Sequence, residues 1–450
     1  MTKTGCSKTS RRDFLKLAAG TAAFGPFFSF PERALAVQKT LKIAKWAHFL
    51  PEFDQWFQNV VAKEWGQKND TKVTVDLIPV EEIRARAFAE AKAGKGHDLF
   101  MFPWPPAEFC QHVIDHDEIY QAVAPKYGAI QQLAHRSTYN FKLKKSYFAF
   151  ADFWIPTPLH FFQDYWGEIG MPLGPIHYDG LFGGCQTIRA RFGIPCGLAF
   201  SPTLEGNVTL HTILYATRAW ILDPDGKVLF NKNAFAVRSF KFIEALYIHS
   251  GSPEQLTWGS AGNVRAMVAH KTCCSMNGIS LLRTAEKENP EIAKKMMLQP
   301  PLLGRYGMGV TAMPHVTNCS SVWKFAQNPE GAKKFLADLI DSSGAGYEQS
   351  RGSNFPIYPK TVPDLVVRLE KDPQAGPTSK YYRLRDALHW TPNLGVPGVP
   401  TPEFMEIFNT SVIPKAVARV LKGEQTGAEA ATSAAAEIQK IVDKWKQASS

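Results

Sequence analysis

The most constraining feature of this sequence is a regular alternation of strand and helix patterns over residues 41–102. Residues 41–43 and 73–77 predict strands, residues 53–65 carry apolar side chains at helical spacing, and residues 81–92 predict an alanine-rich helix. Residues 99–102 form an unbroken apolar run, which is typical of a strand buried on both faces. This order, with short connections, predicts a parallel doubly wound sheet and therefore an α/β fold.

A sheet of this type also predicts where a ligand binds. In open α/β sheets, ligands bind in the crevice beyond the carboxyl ends of the strands. The residues directly after the first and third predicted strands are Trp46 and His48, and Pro103 and Trp104. We therefore expect these side chains to lie at a cleft.

Residues 147–166 are rich in Phe, Tyr and Trp, but polar residues interrupt every apolar run before it reaches the length of a membrane-spanning helix. Pro156 and Pro158 each fix a φ angle and remove a backbone donor, which suits a link between two sheets better than a central strand. We interpret the segment as a crossover between two lobes. The Pro- and Gly-rich residues 300–313 predict the return crossover, and residues 147–158 and 304–311 are candidate hinges.

The remaining patterns complete the expected organisation. Residues 111–140, 208–222, 235–248, 328–340, 402–422 and 429–445 predict helices, residues 223–226 a turn, residues 272–276 a strand, and residues 179–200 a Gly-rich irregular stretch. We expect one lobe to comprise residues 37–150 with residues 312–355 returning to it. The other lobe is expected to comprise residues 151–305, with residues 356–450 packing mainly on it.

The first 36 residues predict a twin-arginine export signal. Arg11 and Arg12 stand in the string Ser-Arg-Arg-Asp-Phe-Leu-Lys ahead of a modestly apolar run, and the Ala-Leu-Ala triplet at residues 34–36 predicts cleavage after Ala36. The mature chain is therefore expected in the periplasm, exported already folded. This segment carries part of the net charge of +10. The rest is spread without long Lys/Arg runs, so we expect no nucleic-acid partner.

The six cysteines beyond the signal segment leave two readings open. Cys185 and Cys196 are the best candidate disulfide pair in an oxidising compartment, whereas buried free thiols are the alternative. Adjacent Cys273 and Cys274 are expected to be buried thiols, because a bridge between neighbours is strained.

The order of these segments resembles that of the family-1 extracellular solute-binding proteins of ABC importers, the group that includes sugar-binding proteins. The residues that carry the resemblance are 41–46, 72–102, 147–171, 220–246, 262–280 and 328–359. The resemblance implies a two-lobe periplasmic binding protein fold of type II, with hinged lobes, mixed sheets and a helical C-terminal tail. Where the family commonly has a Tyr-Asn pair, this chain has Phe162-Gln163-Asp164, so the ligand class is open and the crossover aromatics are expected to influence specificity.

Candidate ligand-binding residues are aromatic or polar side chains at predicted strand ends and in irregular segments. Aromatic faces stack on apolar faces of sugar rings, and polar side chains bind the hydroxyl groups. The set is Trp46, His48, Trp104, Asp152, Trp154, Trp258, Asn277, Arg351, Asn354 and Trp390, with Asp98 as a further polar candidate. For each residue the alternative is a role in packing, capping or ion pairing.

Metal and catalytic sites are not expected. His112, Asp115 and His116 have the spacing of one helix face, but they lack the Glu of a zinc protease motif, so a solvated helix face is favoured. We therefore predict no metal, no cofactor and no enzymatic activity. The expected function is a monomeric periplasmic receptor for sugar transport, which delivers a sugar, polyol or short oligosaccharide to an ABC permease. The alternatives are a glycoside-processing enzyme that uses Asp98 or Asp152, and a receptor for an amine or organophosphate.

Overall fold

The computed structural model describes residues 39–141, 145–230, 234–304 and 312–449. Within these ranges, strands form a six-stranded sheet of order β2-β1-β3-β8-β4-β9 and a three-stranded sheet of order β6-β5-β7. The strands are β1 (Lys39–Trp46), β2 (Thr71–Ile78), β3 (Leu99–Phe102), β4 (Phe150–Ile155), β5 (Leu159–Phe162), β6 (Cys274–Met276), β7 (Met296–Gln299), β8 (Val316–Val322) and β9 (Phe355–Pro356). The expected signal segment and residues 305–311 of the expected return crossover lie outside the described residues.

Helices cover both sheets and form the C-terminal part of the chain. They are α1 (Pro51–Trp56), α2 (Lys63–Lys68), α3 (Ile83–Ala93), α4 (Asp117–Tyr127), α5 (Gln132–Thr138), α6 (Gln163–Glu168), α7 (Tyr178–Phe192), α8 (Leu204–Ala216), α9 (Ala234–Ser250), α10 (Gly262–Val268), α11 (Ser280–Glu288), α12 (Pro290–Lys295), α13 (Pro329–Leu339), α14 (Ser343–Gln349), α15 (Leu365–Glu370), α16 (Ala387–Trp390), α17 (Pro402–Asn409), α18 (Val412–Leu421) and α19 (Gly427–Ser449). A π-helical turn, Phe57–Ala62, joins α1 to α2. No helix among the described residues combines the length and apolarity needed to span a bilayer.

The alternation at the start of the chain forms the parallel part of the larger sheet. β1 pairs in parallel with β2 along its whole length and with β3 through Ile43, Ala44 and Lys45. β8 then pairs antiparallel with β3 and with β4, so the sheet is mixed. The predicted α/β pattern is thus confirmed, and the carboxyl ends of β1, β2 and β3 lie at one edge of the sheet.

The aromatic segment is a link between the two sheets. β4 belongs to the larger sheet and β5 to the smaller one, and only Pro156-Thr157-Pro158 separates them. The Thr157 hydroxyl donates to the Met313 carbonyl over 2.8 Å, and the His315 N–H donates to the Ile155 carbonyl over 2.9 Å. The returning chain therefore runs beside this link. The sheets change a few residues beyond the boundary expected after residue 150, and the other lobe limits stay predictions.

Two predictions about helices are wrong in part. Residues 179–200 were expected to be irregular, but α7 covers them as far as Phe192 and includes Gly180, Gly183 and Gly184, whereas residues 193–200 are irregular as predicted. A β-carbon at Gly184 would overlap the Trp166 ring, so this glycine permits close helix packing and does not mark a loop. Residues 402–422 were expected to form one helix, but the chain breaks between α17 and α18 at Ser411, whose φ is +55°.

Candidate functional site

A cavity of about 220 Å³ lies where the segments after β2 and β3 face the start of α8 and the helices α17 and α18. We call it the cleft cavity. Its walls include the side chains of Glu81, Arg84, Trp104, Glu108, Asn207 and Asn409. The cavity therefore lies beyond the carboxyl ends of two parallel strands, which is the position that the topology of an open α/β sheet favours for a ligand.

Trp104 is held firmly in the wall of the cleft cavity. Its Nε1–H donates to the His315 carbonyl over 3.1 Å, which ties it to the chain that returns between the two sheets. Its ring lies edge-on to Phe408, with ring centroids 4.9 Å apart and an interplanar angle of 84°. The prolines on either side of Trp104 restrict its backbone. The ring is thus a rigid apolar surface of the kind that ligand pockets use.

Glu108 is a buried carboxylate in the same wall. Its Oε1 accepts hydrogen bonds from Arg84 Nε over 2.8 Å and from Asn409 Nδ2 over 3.0 Å. Its Oε2 is buried and has no hydrogen-bond partner among the described residues. Burial raises the pKa of Glu108, and the Arg84 guanidinium opposes this effect. One oxygen of Glu108 thus fixes the side chain, and the other is buried without a described partner.

The start of α8 supplies one further acceptor on the opposite wall, Asn207, and a second buried acceptor beside it, Glu205. Asn207 Nδ2 donates to Ser411 Oγ over 3.1 Å, while its buried Oδ1 has no partner among the described residues. Glu205 is also buried, and its Oε2 is likewise unpartnered there. Burial raises the pKa of Glu205, and the charge of Glu81 adds to this effect. Because buried polar atoms in native proteins are nearly always paired, this side of the cavity calls for hydrogen-bond donors.

Four of the predicted site residues meet elsewhere, in a buried polar cluster of the larger sheet. These residues are Trp46, His48, Asp152 and Asn354, and Lys45, Asp54 and Asn318 join them. Trp46 Nε1 donates to Asn318 Oδ1 over 2.6 Å, and Asn318 Nδ2 donates to Asp152 Oδ1 over 2.6 Å. Burial raises the pKa of Asp152 to about 7.

The second half of this cluster is built around a buried ion pair. Lys45 Nζ lies 2.5 Å from Asp54 Oδ1, and the other oxygen of Asp54 accepts the His48 N–H over 2.7 Å. Burial lowers the pKa of His48 to about 4, so its ring is neutral. Its Nδ1 accepts the Leu50 N–H, and its Nε2 therefore donates to Asn354 Oδ1 over 3.0 Å.

The cavity beside this cluster is too small for a sugar. It measures about 30 Å³, and Asp152 and Asn354 are among its lining residues. This is about the volume that one water molecule occupies in the liquid. The cluster therefore organises the carboxyl end of β1, and we do not assign it the ligand.

Trp154 lies in the core of the larger sheet, contrary to our expectation that it faces the cleft. Only 1% of its surface is exposed, and its ring packs edge-on against Phe355 with centroids 5.5 Å apart. The reason is the position of β4, which lies between β8 and β9 and is buried along its whole length.

The other predicted ligand residues also lie outside the walls of the cleft cavity. Trp390 is buried and its carbonyl accepts the Ala312 N–H, while Asn277 donates to Asn263 Oδ1. Arg351 donates to the Arg283 carbonyl and to Gln374, and Trp258 is half-buried beside Gly262. Of the ten predicted residues, Trp104 alone is described as lining the cleft cavity.

The acid–base pair considered for Asp98 and Asp152 does not form. Asp98 accepts the N–H groups of Lys42, Gln327 and Asn328 at the amino end of β3. Its carbonyl bonds to residue 323, whereas the Asp152 side chain bonds to residue 318. Five residues of an extended strand span about 17 Å, so the two carboxylates are far apart.

The histidine cluster is not a helix face. α4 begins at Asp117, so His112, Asp115 and His116 precede it. His116 is buried, and its Nε2 accepts the Val322 N–H over 3.0 Å. This histidine therefore fastens the segment to β8.

The fold is also found in solved structures of transport receptors. A solute-binding protein of an ABC transporter from Thermotoga lettingae, bound with α-D-tagatose, aligns with a TM-score of 0.75 and 20% identity over 90% of this chain and 100% of that chain. A sugar transporter protein from Arthrobacter chlorophenolicus with bound laminaribiose aligns with a TM-score of 0.74 and 12% identity over 89% of this chain and 99% of that chain. A solute-binding protein from Agrobacterium radiobacter in complex with ribitol aligns with a TM-score of 0.69 and 17% identity over 90% of this chain and 98% of that chain.

The chain has the two-lobe periplasmic binding protein fold. No family model and no curated protein matches its sequence. In this binding protein fold, the walls of the cleft cavity come from the segments after β2 and β3 of the larger sheet, from the start of α8 and from α17 with Ser411.

Sequence reasoning missed most of the polar residues in the cleft of this binding protein fold. Glu81 lies three residues after the end of β2, so the strand-end rule that selected Trp104, two residues after β3, extends to it. Arg84 and Glu108 come a few residues further on, in a helix and in a turn. Asn207 and Asn409 lie in helices, where no local pattern distinguishes a cavity residue from a core residue.

Proposed function

We propose that the protein is a receptor that captures a small polyhydroxylated solute, a sugar or polyol, and delivers it to the membrane permease of an ABC importer. The observation that carries this proposal is the composition of the cleft cavity. It combines the fixed ring of Trp104 with buried acceptor oxygens on Glu108 and Asn207 that have no partner among the described residues.

Sugars and polyols match this composition for two physical reasons. Their hydroxyl groups donate hydrogen bonds, and the buried carboxylate and amide oxygens require donors. The carbon-bound hydrogens of a sugar ring present an apolar face, which suits the indole of Trp104. The same polar set rejects solutes that lack the hydroxyl groups, because the buried acceptors would then stay unpaired.

The size of the cavity favours a small member of this class. Its volume of about 220 Å³ is below the roughly 300–1,000 Å³ typical of pockets for drug-sized ligands. A monosaccharide or a linear polyol therefore fits the proposal better than a long oligosaccharide.

A cationic amine is the second candidate. Glu81, Glu108 and Glu205 place three carboxyl groups in or beside the cleft cavity, and among the described residues Glu108 is the one of them with an ion pair, to Arg84. An ammonium group would be attracted to them, whereas the phosphate of an organophosphate would be repelled.

Transport function also implies export of the chain to the periplasm and a monomeric receptor, and both remain part of the proposal.

The test is ligand binding by the mature chain, residues 37–450. A thermal-shift screen against sugars, polyols, amines and glycosides, followed by calorimetry, is expected to give saturable binding of one polyhydroxylated solute, which is recovered unchanged. Hydrolysis of a glycoside, or binding confined to amines, would overturn the proposal.

Matched tryptophan variants locate the site. Trp104→Ala is expected to weaken binding at least tenfold, the equivalent of about 1.4 kcal/mol. Trp445→Ala is the control, because Trp445 lines a different cavity, of about 350 Å³, and donates to Glu406. Equal affinities of the two variants would contradict the assignment of the cleft cavity.

A further inference from the structure

The half of the molecule that contains the smaller sheet encloses a cluster of cysteine thiols, which is unrelated to the cleft cavity. Cys185 projects from α7, and Cys273 and Cys274 lie at the start of β6. Cys185 Sγ is 3.8 Å from Cys273 Sγ and 3.6 Å from Cys274 Sγ, and the last two sulfurs are 3.9 Å apart. All three side chains are buried. The chain therefore gathers three soft ligand atoms from two separate elements.

These separations equal those of a tetrahedral thiolate site. A zinc–sulfur bond is about 2.3 Å long, so sulfurs at the corners of a regular tetrahedron are roughly 3.8 Å apart. The three observed distances, 3.6, 3.8 and 3.9 Å, lie close to that value. An ion of this size would contact all three sulfurs with little movement of the chain.

Cys196 supplies a fourth thiol at the edge of this group. Its segment runs beside β6, because the Cys273 N–H donates to the Pro195 carbonyl and the Gly197 N–H donates to the Cys274 carbonyl. The Cys196 thiol interacts with Cys185 and is also buried. Gln255 Nε2 donates to Cys196 Sγ over 3.6 Å and to the Leu198 carbonyl over 2.7 Å. This amide is placed to orient the fourth sulfur, as outer hydrogen bonds do around metal ligands.

We propose that Cys185, Cys273 and Cys274, completed by Cys196, bind one thiolate-preferring metal ion of the zinc type. Sulfur ligands select zinc or monovalent copper over hard cations such as magnesium and calcium. Each cysteine that binds loses its thiol proton to solvent, so binding releases protons and strengthens as pH rises. Because four ligands close the coordination sphere and the site is buried, the ion would be structural and would link α7, residues 194–198 and β6.

A disulfide among the same cysteines is the competing outcome. A disulfide requires two sulfurs about 2.05 Å apart, and the four cysteines of the cluster form no disulfide in the structure, including the pair Cys185 and Cys196 that the sequence suggested. Two of the cluster sulfurs would have to move together by more than 1 Å. The metal instead uses the separations that the fold already sets among Cys185, Cys273 and Cys274.

The experiment measures metal content and metal-dependent stability of the mature chain. The protein is refolded with a thiol reductant and either zinc or cobalt(II), desalted, and analysed by elemental mass spectrometry and absorption spectroscopy. We expect one metal equivalent per chain and a sulfur-to-cobalt charge-transfer band. A strong chelator is expected to lower the melting temperature of the wild-type protein.

Cysteine variants separate this site from unspecific thiol binding. Cys185→Ser and Cys273→Ser are expected to lose the metal, the cobalt band and the response to chelator. Cys319→Ser is the matched control, because Cys319 is a buried thiol of β8 in the larger sheet. It is expected to retain all three properties.

Three results would overturn the proposal. One is wild-type protein without metal and without a chelator effect. Another is metal binding that persists in folded Cys185→Ser. The third is a disulfide among the four cysteines, found by peptide mapping of protein prepared without reductant or metal, together with no metal uptake after that disulfide is reduced. If a variant fails to fold, the measurements on the wild-type protein and on Cys319→Ser still decide the question.

Discussion

The Lys45–Asp54 ion pair should show a large coupling energy in a double-mutant cycle. Only 1% of the Lys45 side chain and 7% of the Asp54 side chain are exposed, and the two charges lie 2.5 Å apart. Burial lowers the pKa of Lys45, while Asp54 opposes this effect. The pair fixes the carboxyl end of β1, because Asp54 also accepts the His48 N–H.

The variants are Lys45→Met, Asp54→Asn and their combination. Methionine keeps an unbranched chain against the rings of Phe53 and Phe57, whose centroids are 5.2 and 5.5 Å from Lys45 Nζ. Asparagine keeps an oxygen that accepts the His48 N–H. The combined variant therefore removes both charges without leaving that N–H unpaired.

The expected magnitude follows from burial. Removing one partner of a buried ion pair leaves an uncompensated charge and costs about 3–5 kcal/mol. Two independent losses would sum to roughly 6–10 kcal/mol, which is comparable to the whole stability of many domains. Because the combined variant buries neither charge of the pair, we expect it to lose less than about 3 kcal/mol relative to wild type, so the coupling energy should exceed about 3 kcal/mol.

Urea unfolding followed by far-UV circular dichroism measures all four proteins at one pH. Equal denaturant slopes would show that the variants change stability and not the extent of unfolding. Additive single losses, or a combined variant less stable than both single variants, would refute the reasoning that the two charges depend on each other.

Two further predictions concern buried residues of β4. Burial raises the pKa of Asp152 to about 7, above its unfolded value of about 3.9, so folding favours the protonated acid and stability should fall as pH rises through about 7. Asp152→Asn should remove this pH-dependent contribution to the free energy of unfolding, which is on the order of 4 kcal/mol at most. Equal pH dependence of the stabilities of the two proteins between pH 5 and pH 8 would contradict this prediction. Trp154→Ala should cost about 3–5 kcal/mol in urea unfolding, because it empties a core site against Phe355. An unchanged midpoint would instead mean that this tryptophan contributes little to the core.

Much of the fold was predictable because its signals are local. The alternation at residues 41–102 identified β1, β2 and β3, and the pattern of residues 328–340 identified α13, at whose start Asn328 Oδ1 accepts the Gly331 N–H. The prolines at 156 and 158 identified the link between the sheets. In each case the side chain acts on its own backbone or on one face of its own element.

Predictions failed where a residue acts on a distant part of the chain. The glycines of α7 resemble loop residues, and only the Trp166 ring across the contact explains Gly184. Trp154 resembles a cleft aromatic in sequence, whereas its strand lies between β8 and β9. Glycine composition and aromatic content describe a residue, but they do not identify its neighbours.

The sequence by itself predicted the α/β fold class, because strand and helix periodicities set it. It also predicted that a ligand binds beyond the carboxyl ends of the parallel strands, which stays a prediction. Only the tertiary structure decided which polar groups meet there. Glu108 and Asn409 are separated by 301 residues and share one hydrogen bond. The same is true of the thiol cluster, in which Cys185 and Cys273 meet across 88 residues. Such contacts depend on how whole elements pack, and no local pattern encodes them.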